Sequence, residues 1–231
     1  MRILALDAAT EACSVAVCAG GTLVSRNHRL GTGAAESILS LVEAVLGESG
    51  TALRSLDAVA FGRGPGGFTG VRLAASVAQG LAFGAGLPVI PISDLRALAQ
   101  QVFDSERDIE GVLVCGDARM REVYSAYCTR DARGFAATVG AERVGPPATV
   151  ELPPQARGRI RGAGQGFSAY PELGERLGPR LTAGIAAELL PRAQEIARLA
   201  VPELEAGRTL PPEKALPVYL RDDVVAPPSQ D

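Results

Sequence analysis

The run Gly62-Arg63-Gly64-Pro65-Gly66-Gly67-Phe68-Thr69-Gly70 carries the clearest chemical signal in the chain. Glycines let backbone N–H groups converge, and convergent N–H groups at a helix start hold anions. Gly62, Gly64 and Gly67 satisfy the GxGxxG spacing of a dinucleotide-binding loop, with Asp94 as a late candidate for the acidic residue such a site uses. That fingerprint should open a βαβ unit, whereas three antiparallel strands come first here and Pro65 lies inside the loop. The run also reads as GxxxxG followed by Phe68 and Thr69, one residue away from a phosphate-binding P-loop. Phe68 stands where the lysine belongs, and an apolar ring cannot neutralise a phosphate. Three uses stay open: an anion contact through Gly64, Gly66, Gly67 and Thr69, with Thr69 as the expected helix cap; a tight turn for close packing; or a backbone-shaped surface for a partner.

Other reactive residues are sparse. Cys13, Cys18, Cys115 and Cys128 lie mostly in apolar runs without CxxC spacing, so they read as reduced core thiols. His28 is the only histidine, which rules out a metal pair of histidines. There is no HExxH, and a histidine-activated serine or cysteine nucleophile would have to use His28, which has no signature beside it.

The elements that must position these residues follow from periodicity. Ile3 to Asp7, Cys13 to Cys18 and Thr22 to His28 predict an antiparallel meander, and Ile38, Leu41, Val42, Val45 and Leu46 place a helix over Ala34 to Leu46. Strands over Asp57 to Phe61 and Val89 to Ile92 flank a helix from about Thr69 to Phe83, giving βββαβαβα over residues 1–105. That second helix is apolar on most sides apart from Arg72, Ser76 and Gln79, so it is either buried or in an interface. Around residue 110 the pattern restarts: Gly111 to Cys115, an Asp117-Ala118 turn and Val123 to Cys128 mirror the first hairpin with its Asp7-Ala8 turn. The expectation is two related lobes, 1–105 and 106–231, joined near Phe103 to Glu110. In the second, a short strand lies within Arg157 to Gly166 and a helix runs from about Ile185 to Leu204. Leu216 to Arg221 is expected to pack back on the first lobe, with Val224 to Asp231 as a frayed tail.

With 231 residues, 47% hydrophobic and 21% charged, the chain can bury an ordinary core. A formal net charge of −3 supplies no basic footprint for nucleic acid. The apolar run after Met1 is too short for a signal peptide, and Leu81 to Ile92 is broken by Gly84, Gly86, Pro88 and Pro91, so a cytoplasmic protein without a membrane anchor is expected.

FGRGPGGFTGVRLA at Phe61 to Ala74, LALDAATEACSVAV at Leu4 to Val17, DARMREVY at Asp117 to Tyr124 and LPVYLRDDV at Leu216 to Val224 together resemble the TsaB family, formerly called YeaZ. The resemblance implies an α/β actin/Hsp70-like (ASKHA, ribonuclease-H-like) fold with two lobes and mixed central sheets. It implies a non-catalytic subunit for threonylcarbamoyladenosine formation in tRNA, partnered by the catalytic paralogue TsaD and the ATPase TsaE. A homodimer when alone, tRNA contact only through partners, and no required cofactor belong to the same reading. ATP or ADP at a partner interface stays open. In catalytic relatives of this fold the first-hairpin aspartates position phosphate, and Asp7 and Asp117 match those places. The partner surface is expected on the second helix, at Val71, Arg72, Ala74, Ala75, Ala78 and Ala82. The chain departs from the family pattern at Gly67, where serine is usual, and at Ala34-Ala35-Glu36, where His-Ser-Glu is common. The rival expectation is an enzyme in its own right: a peptidase, or a kinase holding nucleotide between the lobes with Asp7, Asp117 and the glycine loop.

Overall fold

Successive side chains of a strand point to opposite faces, so a strand whose residues are all apolar must be covered on both sides. In a computed structural model of the chain, which describes residues 1–29 and 34–221, β1 (Arg2–Asp7) shows this arrangement. Ile3 and Ala5 enter one core, Leu4 and Leu6 another, and all four are fully buried.

The first sheet has the order β3-β2-β1-β4-β5, from β2 (Ala12–Ala19), β3 (Thr22–Arg29), β4 (Ala58–Gly62) and β5 (Val89–Ile92). β1 to β3 form the antiparallel meander, and β4 and β5 continue parallel to β1. The second sheet repeats the plan. There β6 (Gly111–Asp117) and β7 (Val123–Arg130) make the hairpin, β8 (Ala136–Thr138) and β9 (Arg143–Gly145) pair with β7, and β10 (Ile160–Ala163) and β11 (Ile185–Ala186) run parallel beside β6. The repeat expected from the two Asp-Ala turns is therefore present in strand order.

The two sheets share a helical layer. α3 (Asp94–Ser105) and α6 (Ala193–Glu205) pack on each other between them, α3 toward the second sheet and α6 toward the first. Ala5, Ala16, Ala58 and Ala60 on the inner face of the first sheet leave room for α6, whose Ile196 and Leu199 are fully buried in the same core as Val112 and Val114 of the second sheet. Cutting Ile196 back to alanine in such a close-packed layer costs about 2–5 kcal/mol. α1 (Ala34–Ser49) and α2 (Phe68–Ala85) cover the outer face of the first sheet, and α4 (Gly166–Ala169) and α5 (Pro171–Leu177) that of the second.

Several expectations are corrected. The helix anticipated over Ile185 to Leu204 begins only at Ala193, because Ile185 and Ala186 pair with β10 and Arg192 is extended after Pro191. Thr69 does not cap α2: Gly67 is the cap residue and makes no side-chain cap bond. Ala74, Ala75, Ala78 and Ala82, anticipated as partner contacts, are buried against the first sheet, Val71 is buried at the glycine loop beside the cleft, and only Arg72 of that set is exposed. The helix is amphipathic after all, with alanine rather than leucine supplying its buried stripe. Leu216 to Arg221 does run back over the first half, the Val218 N–H donating to Arg63 O at 2.7 Å. The side chains of Ala34 to Glu36 and the tail from Val224 lie outside the described residues.

Candidate functional cleft

A cleft of about 550 Å³ opens between the halves. Its walls are the β1–β2 turn (Ala8 to Glu11), the glycine loop with the first turn of α2, the start of α3, the β6–β7 turn, Gln165 after β10, Leu189 to Pro191, and the returning segment Val218 to Arg221.

The glycine loop is shaped by the turn beneath it. A Cβ at Gly70 would overlap Ala8 O, and the Gly67 N–H donates to Ala9 O at 2.7 Å. Deeper in, the Gly64 N–H donates to Asp94 Oδ2. Two loop N–H groups expected for an anion are thus taken by the protein itself, while Gly66 and Thr69 line the cleft. Asp7 does not reach it. Its carboxylate is fully buried, with Oδ1 accepting the Ala9 N–H at 2.9 Å. Asp117 does reach the cleft, accepting the Arg119 N–H at 2.8 Å and pairing with the Arg119 guanidinium at 3.0 Å. The cations on the walls, Arg119 and Arg221, are both paired, with Asp117 and Glu122 respectively. Leu73, Leu95, Leu98, Leu189, Leu190 and Leu220 make the remaining wall largely apolar. The expected phosphate set of Asp7, Gly64, Gly66, Gly67, Thr69 and Asp117 is brought to one region, but Asp7, Gly64 and Gly67 are already committed. A phosphate entering here would have to break internal hydrogen bonds worth about 1 kcal/mol each.

The β6–β7 turn is unusual in its backbone. Arg119, Met120 and Arg121 are three consecutive non-glycine residues in the left-handed region, at φ 59°, 52° and 60°. Each such residue costs about 1–2 kcal/mol, so neighbours must hold the turn. Arg221 does so: it donates to Ala118 O at 3.2 Å and to Met120 Sδ at 3.3 Å, and it pairs with Glu122. Two residues earlier, Tyr219 Oη accepts the Arg72 Nε–H at 2.7 Å, and the Arg72 guanidinium sits 3.5 Å above the Phe68 ring. The segment therefore straps the two cleft walls together. On another side Gln165 donates to Glu11 at 2.7 Å.

Sequence reasoning missed Gln165 and Arg221. The glycine run Gly162 to Gly166 that carries Gln165 is the second half's counterpart of Gly62 to Gly70, following β10 as the latter follows β4. A search for a second glycine loop at the repeat interval would have found it. Arg221 gives no local signal, because its partner Glu122 is distant in sequence.

Two groups beside the cleft titrate abnormally. Burial lifts Asp7 to about 6, and burial together with the charge of Asp7 raises Asp94 well above the ordinary carboxylate range. Burial also pushes the thiols of Cys13, Cys115 and Cys128 up to about 12, which leaves them protonated and unreactive. His28 is exposed on β3, and among the described residues no three His, Cys, Asp or Glu side chains cluster to hold a metal.

The family model for TsaD, described as tRNA N6-adenosine threonylcarbamoyltransferase, matches residues 21–173. The tRNA threonylcarbamoyladenosine biosynthesis protein TsaB of Escherichia coli K12 is 42% identical over 97% of this chain and 96% of its own length. The TsaB of Haemophilus influenzae is 39% identical over 97% of this chain and 95% of its own. Among solved structures, YeaZ from Pseudomonas aeruginosa superposes with a TM-score of 0.87 at 41% identity, covering 95% of this chain and 99% of that one. The architecture is the two-lobed actin- and Hsp70-like fold expected from the sequence.

Proposed function

The chain belongs to the TsaB family, and on that premise we propose that it is the non-catalytic subunit of the machinery that builds threonylcarbamoyladenosine in tRNA, binding a TsaD-like catalytic chain and, with it, a TsaE-like ATPase. The near full-length relation to TsaB proteins carries this reading. The cleft supports it, since the Gly64 and Gly67 N–H groups and the buried Asp7 that a kinase would aim at phosphate are engaged within the chain. The thiol of Cys13, the cross-strand neighbour of His28, is buried and neutral, as are those of Cys115 and Cys128, so they likewise offer no activated nucleophile. With a net charge of −3, the chain leaves most tRNA phosphate contacts to its partners.

The partner face in this reading is the exposed side of the α1–α2 layer. Phe68 and Leu39 are about half exposed and Phe83 is 77% exposed, with Arg72 beside Phe68. Large apolar groups of this kind, joined by an arginine, are the usual anchors of an interface. The same face would pair two copies when the chain is alone.

Size-exclusion chromatography with the cognate TsaD tests the proposal. Co-elution is expected, and the double variant Phe83→Asp, Arg72→Glu should weaken it at least about tenfold. Failure of the unaltered chain to co-elute, with or without nucleotide, would overturn the reading. Calorimetric titration of the isolated chain with ATP and magnesium should show no tight binding; tight binding would favour the kinase alternative.

A further inference from the structure

Behind the cleft, two carboxyl groups each have one oxygen without a partner. Asp7 ends β1 and Asp94 begins α3, and they are 0% and 2% exposed. Asp7 Oδ1 accepts the Ala9 N–H and Asp94 Oδ2 accepts the Gly64 N–H. Among the described residues no protein group donates a hydrogen bond to Asp7 Oδ2 or Asp94 Oδ1. The two side chains converge over Gly62: a Cβ there would lie 2.7 Å from Asp7 Oδ1 and would overlap Asp94 Oδ1. Glycine is required because the carboxyl pair fills the space that a side chain would take.

Among the described residues no cation forms a salt bridge with either carboxyl; Arg63, whose charge reaches Asp94, is turned to Glu142 at 3.1 Å. Ser14, opposite Asp7 on β2, accepts the Ala193 N–H, the neighbouring Cys13 is a neutral thiol, and Asp117 across the cleft is engaged with Arg119. Two adjacent ionised carboxylates in a buried site repel strongly, and one proton between them removes that repulsion and satisfies both orphaned oxygens.

We propose that Asp7 and Asp94 share one proton at neutral pH, Asp94 Oδ1–H donating to Asp7 Oδ2, and that this bridge fastens the β1–β2 turn to the glycine loop. Each carboxyl also holds one loop N–H, so the chain Ala9 N–H, Asp7, Asp94, Gly64 N–H spans two walls of the cleft. The proton resides on Asp94, because beyond the burial common to both groups the charge of Asp7 and the hydrogen bond between the two carboxyls raise Asp94, whereas the same hydrogen bond lowers Asp7. Both groups lie above their unfolded value near 4, so the folded state binds protons that the unfolded chain releases. Stability from the pair is complete below about pH 4, declines as pH rises through the value of about 6 for Asp7, and declines again when Asp94 ionises.

Difference infrared spectroscopy of the full chain against Asp94→Asn tests the bridge. At pH 7.5 the wild type should show the C=O band of a protonated buried carboxyl, and Asp94→Asn should lack it. Asparagine copies the neutral acid, its carbonyl facing Gly64 and its amide facing Asp7, so Asp94→Asn should keep its unfolding constant within about threefold of wild type at pH 7 and lose less stability between pH 5 and 9. Asp94→Ala should raise the unfolding constant at least about thirtyfold. Absence of the band in the wild type overturns the proposal, and so does an Asp94→Asn variant with the full pH dependence of the wild type. If Asp94→Ala does not fold, the spectra and pH profiles of the other two proteins still decide.

Discussion

The two hairpins that begin the two halves share one local motif and end in opposite environments. In both, an aspartate at the end of a strand accepts the N–H two residues on: Asp7 from Ala9 at 2.9 Å, and Asp117 from Arg119 at 2.8 Å. Over the first turn lies the glycine loop, docked through Gly70 and Gly67, and the aspartate is sealed. Over the second, Gly166 crowds Cys115 O from the side, the turn stays open to solvent, and the aspartate keeps a surface arginine as partner. The same two-residue turn thus yields a proton-sharing buried acid in one half and a solvated ion pair in the other. What packs over a turn, not the turn itself, decides the chemistry of its aspartate.

The largest expected effect comes from prising the seal apart. Gly70→Ala drives a methyl group into Ala8 O, with backbone on both sides, and should destabilise by about 3 kcal/mol or more in urea unfolding. Gly166→Ala places its Cβ 2.8 Å from Cys115 O, a milder crowding that should cost about 1–2 kcal/mol. If the two cost the same, the contrast between sealed and open turns is wrong. The open turn depends instead on its strap. Arg221→Ala removes the donor to Ala118 O and the partner of Glu122, so a loss of about 1–2 kcal/mol is expected, with faster amide exchange confined to Ala118 to Glu122. Unchanged exchange there would show that the left-handed turn stands without Arg221. The smallest effect belongs to Asp117→Ala, which forfeits one backbone acceptor and a pair with a largely exposed arginine. Its expected cost is about 1 kcal/mol, halved or better by 1 M salt if the ion pair is the larger part.

Much of the fold was legible because strands buried on both faces and glycine-marked turns leave local traces; β5 was read to the residue and most other strands of the two hairpins to within about two. The helix expected from Ile185 failed because β11 is only two residues long and exists through its pairing with β10, which no local pattern announces. Periodicity correctly found α2 but could not say which partner its apolar side meets, so alanines that cover the first sheet were assigned to an interface. The glycine loop was legible as a site, and its occupant was not. Asp94 reaches Gly64 and Arg221 reaches Glu122 only after the chain has folded, and those tertiary contacts, rather than residue type, set what the cleft can hold.

The helical layer shared by the two sheets has a consequence for synthesis. Ile3, Ala5, Ala58, Ala60, Ile90 and Ile92 form a bare apolar face as soon as β5 leaves the ribosome, and the helix that covers it, α6, ends only at Glu205. At ordinary elongation rates the stretch from Ile92 to Glu205 takes roughly ten seconds to make. For that interval the nascent first half is a sheet with one apolar side uncovered.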